Sequence, residues 1–193
     1  GQAGAQFGRS VASAGDVNDD GFADIIIGAP GYSGQAAETG RIAVYRGSFA
    51  GLGENPNWVL DAPSPDQAYC RWGWSVGTAG DVNGDGYSDV IVGAQWYSFD
   101  QDYEGGAFVY LGGPAGLSSS AAWTAESNQP DSYFGSSVGT AGDVNGDGYS
   151  DVIVGAYYYT NDQSYEGRVF VYLGGPSGLD TAAAWTAEGN QAS

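Results

Sequence analysis

The feature that most constrains what this chain can fold into is internal repetition. Three segments align without gaps: FGRSVASAGDVNDDGFADIIIGAP from Phe7, WGWSVGTAGDVNGDGYSDVIVGAQ from Trp72 and FGSSVGTAGDVNGDGYSDVIVGAY from Phe134. The second begins 65 residues after the first, and the third 62 after the second. Downstream, GRIAVYRGS at 40–48 matches GAFVYLGGP at 106–114 and GRVFVYLGGP at 167–176. NWVLDA at 57–62 matches the two AWTAE segments that begin at Ala122 and Ala184. Repetition over nearly all 193 residues means one supersecondary unit built three times, each copy burying its faces against the next. The repeats are placed at 1–66, 67–128 and 129–193.

Each repeat offers four short strand candidates. The first (10–14, 75–79, 137–141) contains only Ser, Val, Gly, Thr and Ala, side chains small enough for a place where several sheets converge. The second (24–29, 89–94, 151–156) is a continuous Ile/Val run, as expected of a strand covered on both faces. The third alternates, setting Phe108 and Tyr110 on one face against Ala107, Val109 and Leu111 on the other. The fourth carries one Trp per repeat: Trp58, Trp123 and Trp185. No stretch of ten or more residues has helical apolar spacing, and 34 Gly favour turns. The expected fold is all-β and β-propeller-like: three four-stranded antiparallel blades, a partial propeller or repeat array with no significant helix. The chain begins and ends in the same phase of the repeat, so further repeats or self-association are expected to complete the architecture.

Between the first and second strands of every repeat lies the segment with most chemistry. It reads DVNDDGFAD at 16–24 and DVNGDGYSD at both 81–89 and 143–151, a shared pattern of D-x-N-x-D-G-x-x-D. Oxygen-bearing side chains at positions 1, 3 and 5 point toward one centre, Gly at 6 permits the sharp turn, position 7 offers its carbonyl, and Asp at 9 closes the shell. Ca²⁺ takes 6–8 oxygens at about 2.3–2.6 Å in a flexible cage, whereas Mg²⁺ demands a tighter octahedron and keeps its waters. The expectation is therefore three Ca²⁺ sites. An EF-hand reading fails, because its twelfth position needs a bidentate Glu and here falls on Ile27, Val92 or Val154 inside a strand. An Asx-rich turn that caps itself is the plainer alternative, and the same five ligand positions in all three copies argue against it.

Phe-Gly at 7–8, the acidic loop at 16–24 and Gly-Ala-Pro at 28–30 resemble the FG-GAP repeat of integrin α-chain propellers and of bacterial secreted proteins. Trp72 replaces the Phe in the second repeat, and Gln95 and Tyr157 replace Pro30. The resemblance implies a propeller with calcium in the loops of one face and ligand contacts mainly on the other. It implies as ligands Asp16, Asn18, Asp20, the Phe22 carbonyl and Asp24; Asp81, Asn83, Asp85, the Tyr87 carbonyl and Asp89; and Asp143, Asn145, Asp147, the Tyr149 carbonyl and Asp151.

The connections between second and third strands, 95–104 and 157–166, are rich in aromatics. Trp96, Tyr97, Phe99, Tyr157, Tyr158 and Tyr159 are candidates for a ligand or assembly face, a protein or a carbohydrate being the expected ligand. The plainer reading is that they cover neighbouring blades. Glu38, Glu104 and Glu166 recur before the third strand and read as turn or capping acids. Cys70, the single cysteine, is expected to be buried or to pair between chains.

The formal net charge is −18, with five Arg, no Lys and no His. No basic patch for nucleic acid or an anionic membrane can be assembled, and no apolar run approaches a membrane span. Without His the usual general base is missing, so catalysis is not expected. The chain is expected to be an extracellular or cell-surface adhesion scaffold, secreted and of bacterial origin. A structural repeat that assembles into a larger propeller or fibre is the alternative, and an accessory domain of a polysaccharide-active enzyme is the remote one.

Overall fold

The computed structural model describes residues 1–64 and 67–189. Twelve strands follow in order: β1 (Ser10–Gly15), β2 (Asp24–Ala29), β3 (Arg41–Tyr45), β4 (Trp58–Asp61), β5 (Ser75–Gly80), β6 (Asp89–Ala94), β7 (Gly106–Tyr110), β8 (Trp123–Ala125), β9 (Phe134–Gly142), β10 (Asp151–Ala156), β11 (Arg168–Tyr172) and β12 (Trp185–Glu188). They pair strictly with their sequence neighbours into three antiparallel four-stranded sheets, β1–β4, β5–β8 and β9–β12. No helix occurs among the described residues. The architecture is an arc of three propeller blades.

The small first strands are where the blades converge: β5 lies between β1 and β9. The alternation of the third strand divides two cores. Phe108 and Tyr110 pack with Ala14, Ile26, Ile42 and Val44 of the first blade, whereas Ala107 and Val109 pack with Val152, Val154 and Phe170 of the third. Every residue of β6 and β7 is consequently buried. Each fully buried aliphatic or aromatic side chain contributes roughly 1.5–3 kcal/mol. The outer blades have only one such face. Trp72 and Phe134 are fully buried at the start of blades 2 and 3, but Phe7, the matching residue of blade 1, is 56% exposed.

Each joint between blades is also fastened through main chain. Trp72 N donates to Thr39 O at 3.0 Å, and Phe134 N donates to Glu104 O at 3.0 Å. Gly40 and Gly105 run in parallel bridges beside those aromatics. At Gly105 (φ 82) a Cβ would lie 2.1 Å from the Phe134 carbonyl oxygen, so only glycine lets the backbones approach.

β9 begins at Phe134, three residues before the expected start at 137, because its first residues also pair with β10. Cys70 is fully buried and its thiol donates to Thr39 O at 3.0 Å. Burial pushes this thiol up to about 11, so pairing between chains would require opening the core. All five Arg are engaged. Arg41, Arg46, Arg71 and Arg168 form ion pairs, and Arg9 lies over Trp74. Among the described residues no helix is long and apolar enough to cross a membrane.

Candidate metal centres

The nine-residue loops join the first strand of each blade to the second, so all three emerge at the same edge. The second and third loops have the same internal geometry. Asp81 Oδ1 accepts the main-chain N–H groups of Gly84 (2.7 Å) and Asp85 (3.1 Å), and its Oδ2 accepts Gly86 N–H at 2.8 Å. Asn83 Oδ1 accepts Asp85 N–H at 3.1 Å, and its amide donates to Asp85 Oδ2 at 2.9 Å. Asp143, Asn145 and Asp147 repeat this pattern, with Gly148 N–H on Asp143 Oδ2 at 2.9 Å. The N–H groups of Gly148, Gly146 and Asp147 hold the Asp143 carboxyl below the usual carboxylate range. The loop thus folds around its own first carboxylate, bringing positions 1, 3 and 5 together.

Position 9 is different. Asp24, Asp89 and Asp151 are fully buried, and both oxygens of each accept main-chain N–H groups. Asp89 Oδ2 accepts Val82 N–H at 2.9 Å and its Oδ1 accepts Gly112 N–H at 2.9 Å. Asp24 does the same with Val17 and Gly47, and Asp151 with Val144 and Gly174. The ninth residue therefore clasps the loop to the end of the third strand. Burial pushes the carboxyl of Asp24 up and that of Asp89 up to about 6. The carboxylates at positions 1 and 5 add to this rise, and no loop draws its three carboxylates within 4.8 Å of one another. The donor set suits a hard cation: side-chain oxygens at 1, 3 and 5, the carbonyl at 7, and a second lone pair on the oxygens at 9.

The first loop departs from the other two. Arg46 Nε lies 3.2 Å from both Asp20 Oδ2 and Asn18 Oδ1, where the later repeats have Leu111 and Leu173. The hydrogen bond from Asn18, with Arg46 adding to it, holds the Asp20 carboxyl low. Asp16 still accepts Asp20 N–H (3.1 Å) and Gly21 N–H (2.8 Å), and Phe22 N–H lies on Asp20 Oδ1 at 3.0 Å.

A second signal lies at position 8. Ser150 Oγ accepts Asp81 N–H at 3.2 Å and Ser150 N donates to Asp81 O at 2.9 Å, so the third loop fastens onto the second. Ser88 does the same to Asp16, at 3.2 and 3.0 Å. The alignment of position 8, Ala23, Ser88 and Ser150, held this information, which motif reading passes over because the residue is not a ligand position.

The aromatic connections lie at the opposite edge, and the structure parts the six candidates. Phe99, Tyr157 and Tyr158 are exposed. Trp96 is half-buried, stacked on Trp74 and lying under the Arg71 guanidinium at 4.0 Å. Tyr159 is half-buried beneath Arg168. Tyr97 is a core residue, 6% exposed, edge-on to Phe108 and with its hydroxyl 2.5 Å from Ser64 Oγ. The capping acids also divide. Glu104 and Glu166 each accept consecutive main-chain N–H groups of their own loop, but Glu38 pairs with Arg71. In the first repeat the loop N–H of Gly34 goes instead to Thr39, the residue aligned with Glu104.

The profile of the FG-GAP repeat matches residues 7–45, 72–111 and 134–172. The chain is 34% identical to integrin alpha-5 of Xenopus laevis over 176 residues, covering 86% of this chain and 16% of that protein. It is 38% identical to human integrin alpha-IIb over 160 residues, 78% of this chain and 15% of the relative. Human phosphatidylinositol-glycan-specific phospholipase D is 31% identical over 203 residues, 97% of this chain and 24% of the relative. The chain therefore spans only a small part of the proteins it matches. Its three matched segments span the first three strands of each blade and the acidic loops between them, and the chain belongs to the FG-GAP repeat family.

Proposed function

We propose that this chain is a calcium-stabilised, non-enzymatic scaffold for adhesion or ligand binding outside the cell. The observation that carries the reading is the threefold loop at one edge, in which positions 1, 3 and 5 converge in every copy. Asp16, Asn18, Asp20, Phe22 and Asp24 would hold one Ca²⁺, and the matching residues of the other loops one each. Integrin α chains among the relatives favour a surface role with a protein ligand, and the exposed aromatics Phe99, Tyr157 and Tyr158 offer contact area for one. The relatives named above are vertebrate proteins, so the bacterial origin expected from the sequence gains no support from them. Calcium that binds only the folded chain stabilises it by about 2.7 kcal/mol per site at a hundredfold excess over Kd. EGTA should therefore lower the melting temperature substantially and Ca²⁺ restore it; an unchanged melting curve would remove the calcium assignment.

One observation favours assembly as a second reading. On the outer face of blade 3 Val144 and Trp185 are 57% and 56% exposed, while the matching Val82 and Trp123 are covered. A further blade, from the same or another chain, would cover that face. Light scattering with and without Ca²⁺ separates the readings: constant monomeric mass supports the binding scaffold, and a calcium-dependent oligomer supports assembly.

A further inference from the structure

Outside the nine-residue loops, the three blades solve one local charge problem in different ways. In blade 1, Arg41 on β3 faces Asp61 on β4 and binds it through two nitrogens, at 2.5 and 2.9 Å. In blade 3, Arg168 on β11 faces Glu188 on β12 in the same register and pairs with it. In blade 2 the Arg position is Gly106, while the acid position remains acidic as Glu126, one step beyond the Ala107–Ala125 pair. The substitution removes the positive charge that faces this acid in the other two blades.

The space has also been refilled. A Cβ on Gly106 would lie 3.1 Å from the Phe99 ring and 3.0 Å from that of Phe108, so Phe99 lies where the arginine arm would run. The loop that carries Phe99 brings two more acids over Glu126. Glu104 is fully buried, and its Oε1 accepts the N–H groups of Phe99 (2.7 Å), Asp100 (3.1 Å) and Gln101 (3.2 Å). No donor from the main chain or from another side chain reaches its buried Oε2 or the buried Oε2 of Glu126, and the two carboxyls lie within hydrogen-bond reach of each other. Asp100, exposed at the mouth, completes a group whose oxygens all lie within 4.8 Å of one another, the one such group among the described residues. A Ca²⁺ ion bonds oxygens at about 2.3–2.6 Å, so oxygens that far apart can share one ion. Blade 3 supplies the control. Glu166 makes the same loop clasp and also has a buried Oε2 without a partner, yet with Arg168 present Asp162, Glu166 and Glu188 do not gather.

We propose that Asp100, Glu104 and Glu126 form a further cation site for a calcium-class divalent ion, which takes the place that an arginine holds in blades 1 and 3. Glu104 is the inner ligand, fixed by three main-chain N–H groups and presenting its bare oxygen. Glu126 supplies the second carboxylate from the end of β8. Asp100 closes the site at the surface, where water fills the remaining positions. The site would tie the 95–104 loop to β8 at the edge opposite the nine-residue loops.

The test is Glu126→Gln in the whole chain, read as a difference from wild type so that it does not depend on how many ions the nine-residue loops hold. Equilibrium dialysis at saturating Ca²⁺ should count one bound ion fewer in E126Q. The order of melting temperatures should invert: E126Q above wild type in EDTA, where one unpaired charge has gone, and below it in Ca²⁺. If Glu126 instead shares a proton with Glu104, the count is unchanged and E126Q shifts the melting temperature equally in both media; either result overturns the proposal. Wild-type crystals soaked in Tb³⁺ give a reading that needs no variant. An anomalous peak bonded to the three carboxylates is expected, and none there, whatever the nine-residue loops show, overturns it.

Discussion

Residues 81–89 and 143–151 are the same nonapeptide, and they do not live in the same place. Inside the loop their hydrogen bonds agree to within 0.2 Å, as in Val82 N–H to Asp89 at 2.9 Å and Val144 N–H to Asp151 at 2.7 Å. Outside it they share little. The loop of blade 2 receives Ser150 on both main-chain groups of Asp81, and Gly175 N–H on Val82 O at 3.0 Å. Asp143, Val144 and Asn145 stand exposed, and a Cβ at Gly142 would meet nothing within 4 Å, where one at Gly80 would strike Ser150 Oγ at 2.3 Å. The nonapeptide determines its own turn; the next blade determines how dry and how rigid that turn is.

The largest expected effect concerns the residue that caps each side of this contrast. Trp123→Ala should cost about 3–5 kcal/mol, since the ring is buried against Tyr172 and its Nε1 donates to Asp180 O at 2.9 Å. Trp185→Ala should cost below about 1 kcal/mol, as for other exposed positions. Urea denaturation of the two variants measures the difference, and equal losses would mean that blade 3 is covered in solution.

Next comes pH. In calcium-free protein the buried Asp89 carboxyl, raised to about 6, binds its proton more tightly folded than unfolded. Its contribution therefore favours the folded state below about pH 4 and is lost as pH rises through 6. The metal-free chain should gain up to about 2–3 kcal/mol on going from pH 7 to 4 through this group. Asp89→Asn should flatten that part of the stability profile, and an unaltered slope would reassign it to other carboxylates.

Ser150→Ala removes the acceptor for Asp81 N–H and should cost about 1 kcal/mol. It should also lower Ca²⁺ affinity at loop 2 and leave loop 3 unchanged, with calorimetric titration as the readout. Of similar size is the effect of Arg46→Leu, which gives loop 1 the residue its sister loops carry. Freeing Asp20 and Asn18 from the guanidinium should raise the affinity of loop 1 by several-fold, a change of about 1 kcal/mol.

Much of this was legible in the sequence, and the reason is periodicity. Three copies fixed the four-strand unit, the antiparallel pairing and the two-sided burial of Phe108, Tyr110, Ala107 and Val109, because a face recurring at period two has to be buried in every copy. The turn of the acidic loops was legible for a similar reason: Asp, Asn and Gly at fixed offsets have few alternatives. Differences between copies were harder to read. Arg41, Gly106 and Arg168 align in plain view, but the meaning of the glycine depends on Glu126 twenty residues away across the sheet. Tyr97 looked like Tyr157 and Tyr158, its neighbours in composition, yet the first blade buries it while the later pair faces outward. The double use of position 9 depends on Gly47, Gly112 and Gly174, which lie beyond any local motif.

The serine stitch across each joint has a consequence in the language of reciprocity. Cover and ion act on one loop, so their influences on each other must be equal. By whatever factor an adjoining blade strengthens the hold of Asp81–Asp89 on a cation, the cation strengthens the joint by the same factor. If calcium is that cation, as proposed above, a row of such joints would convert a rise in its concentration into stiffness along the whole arc, with no moving part.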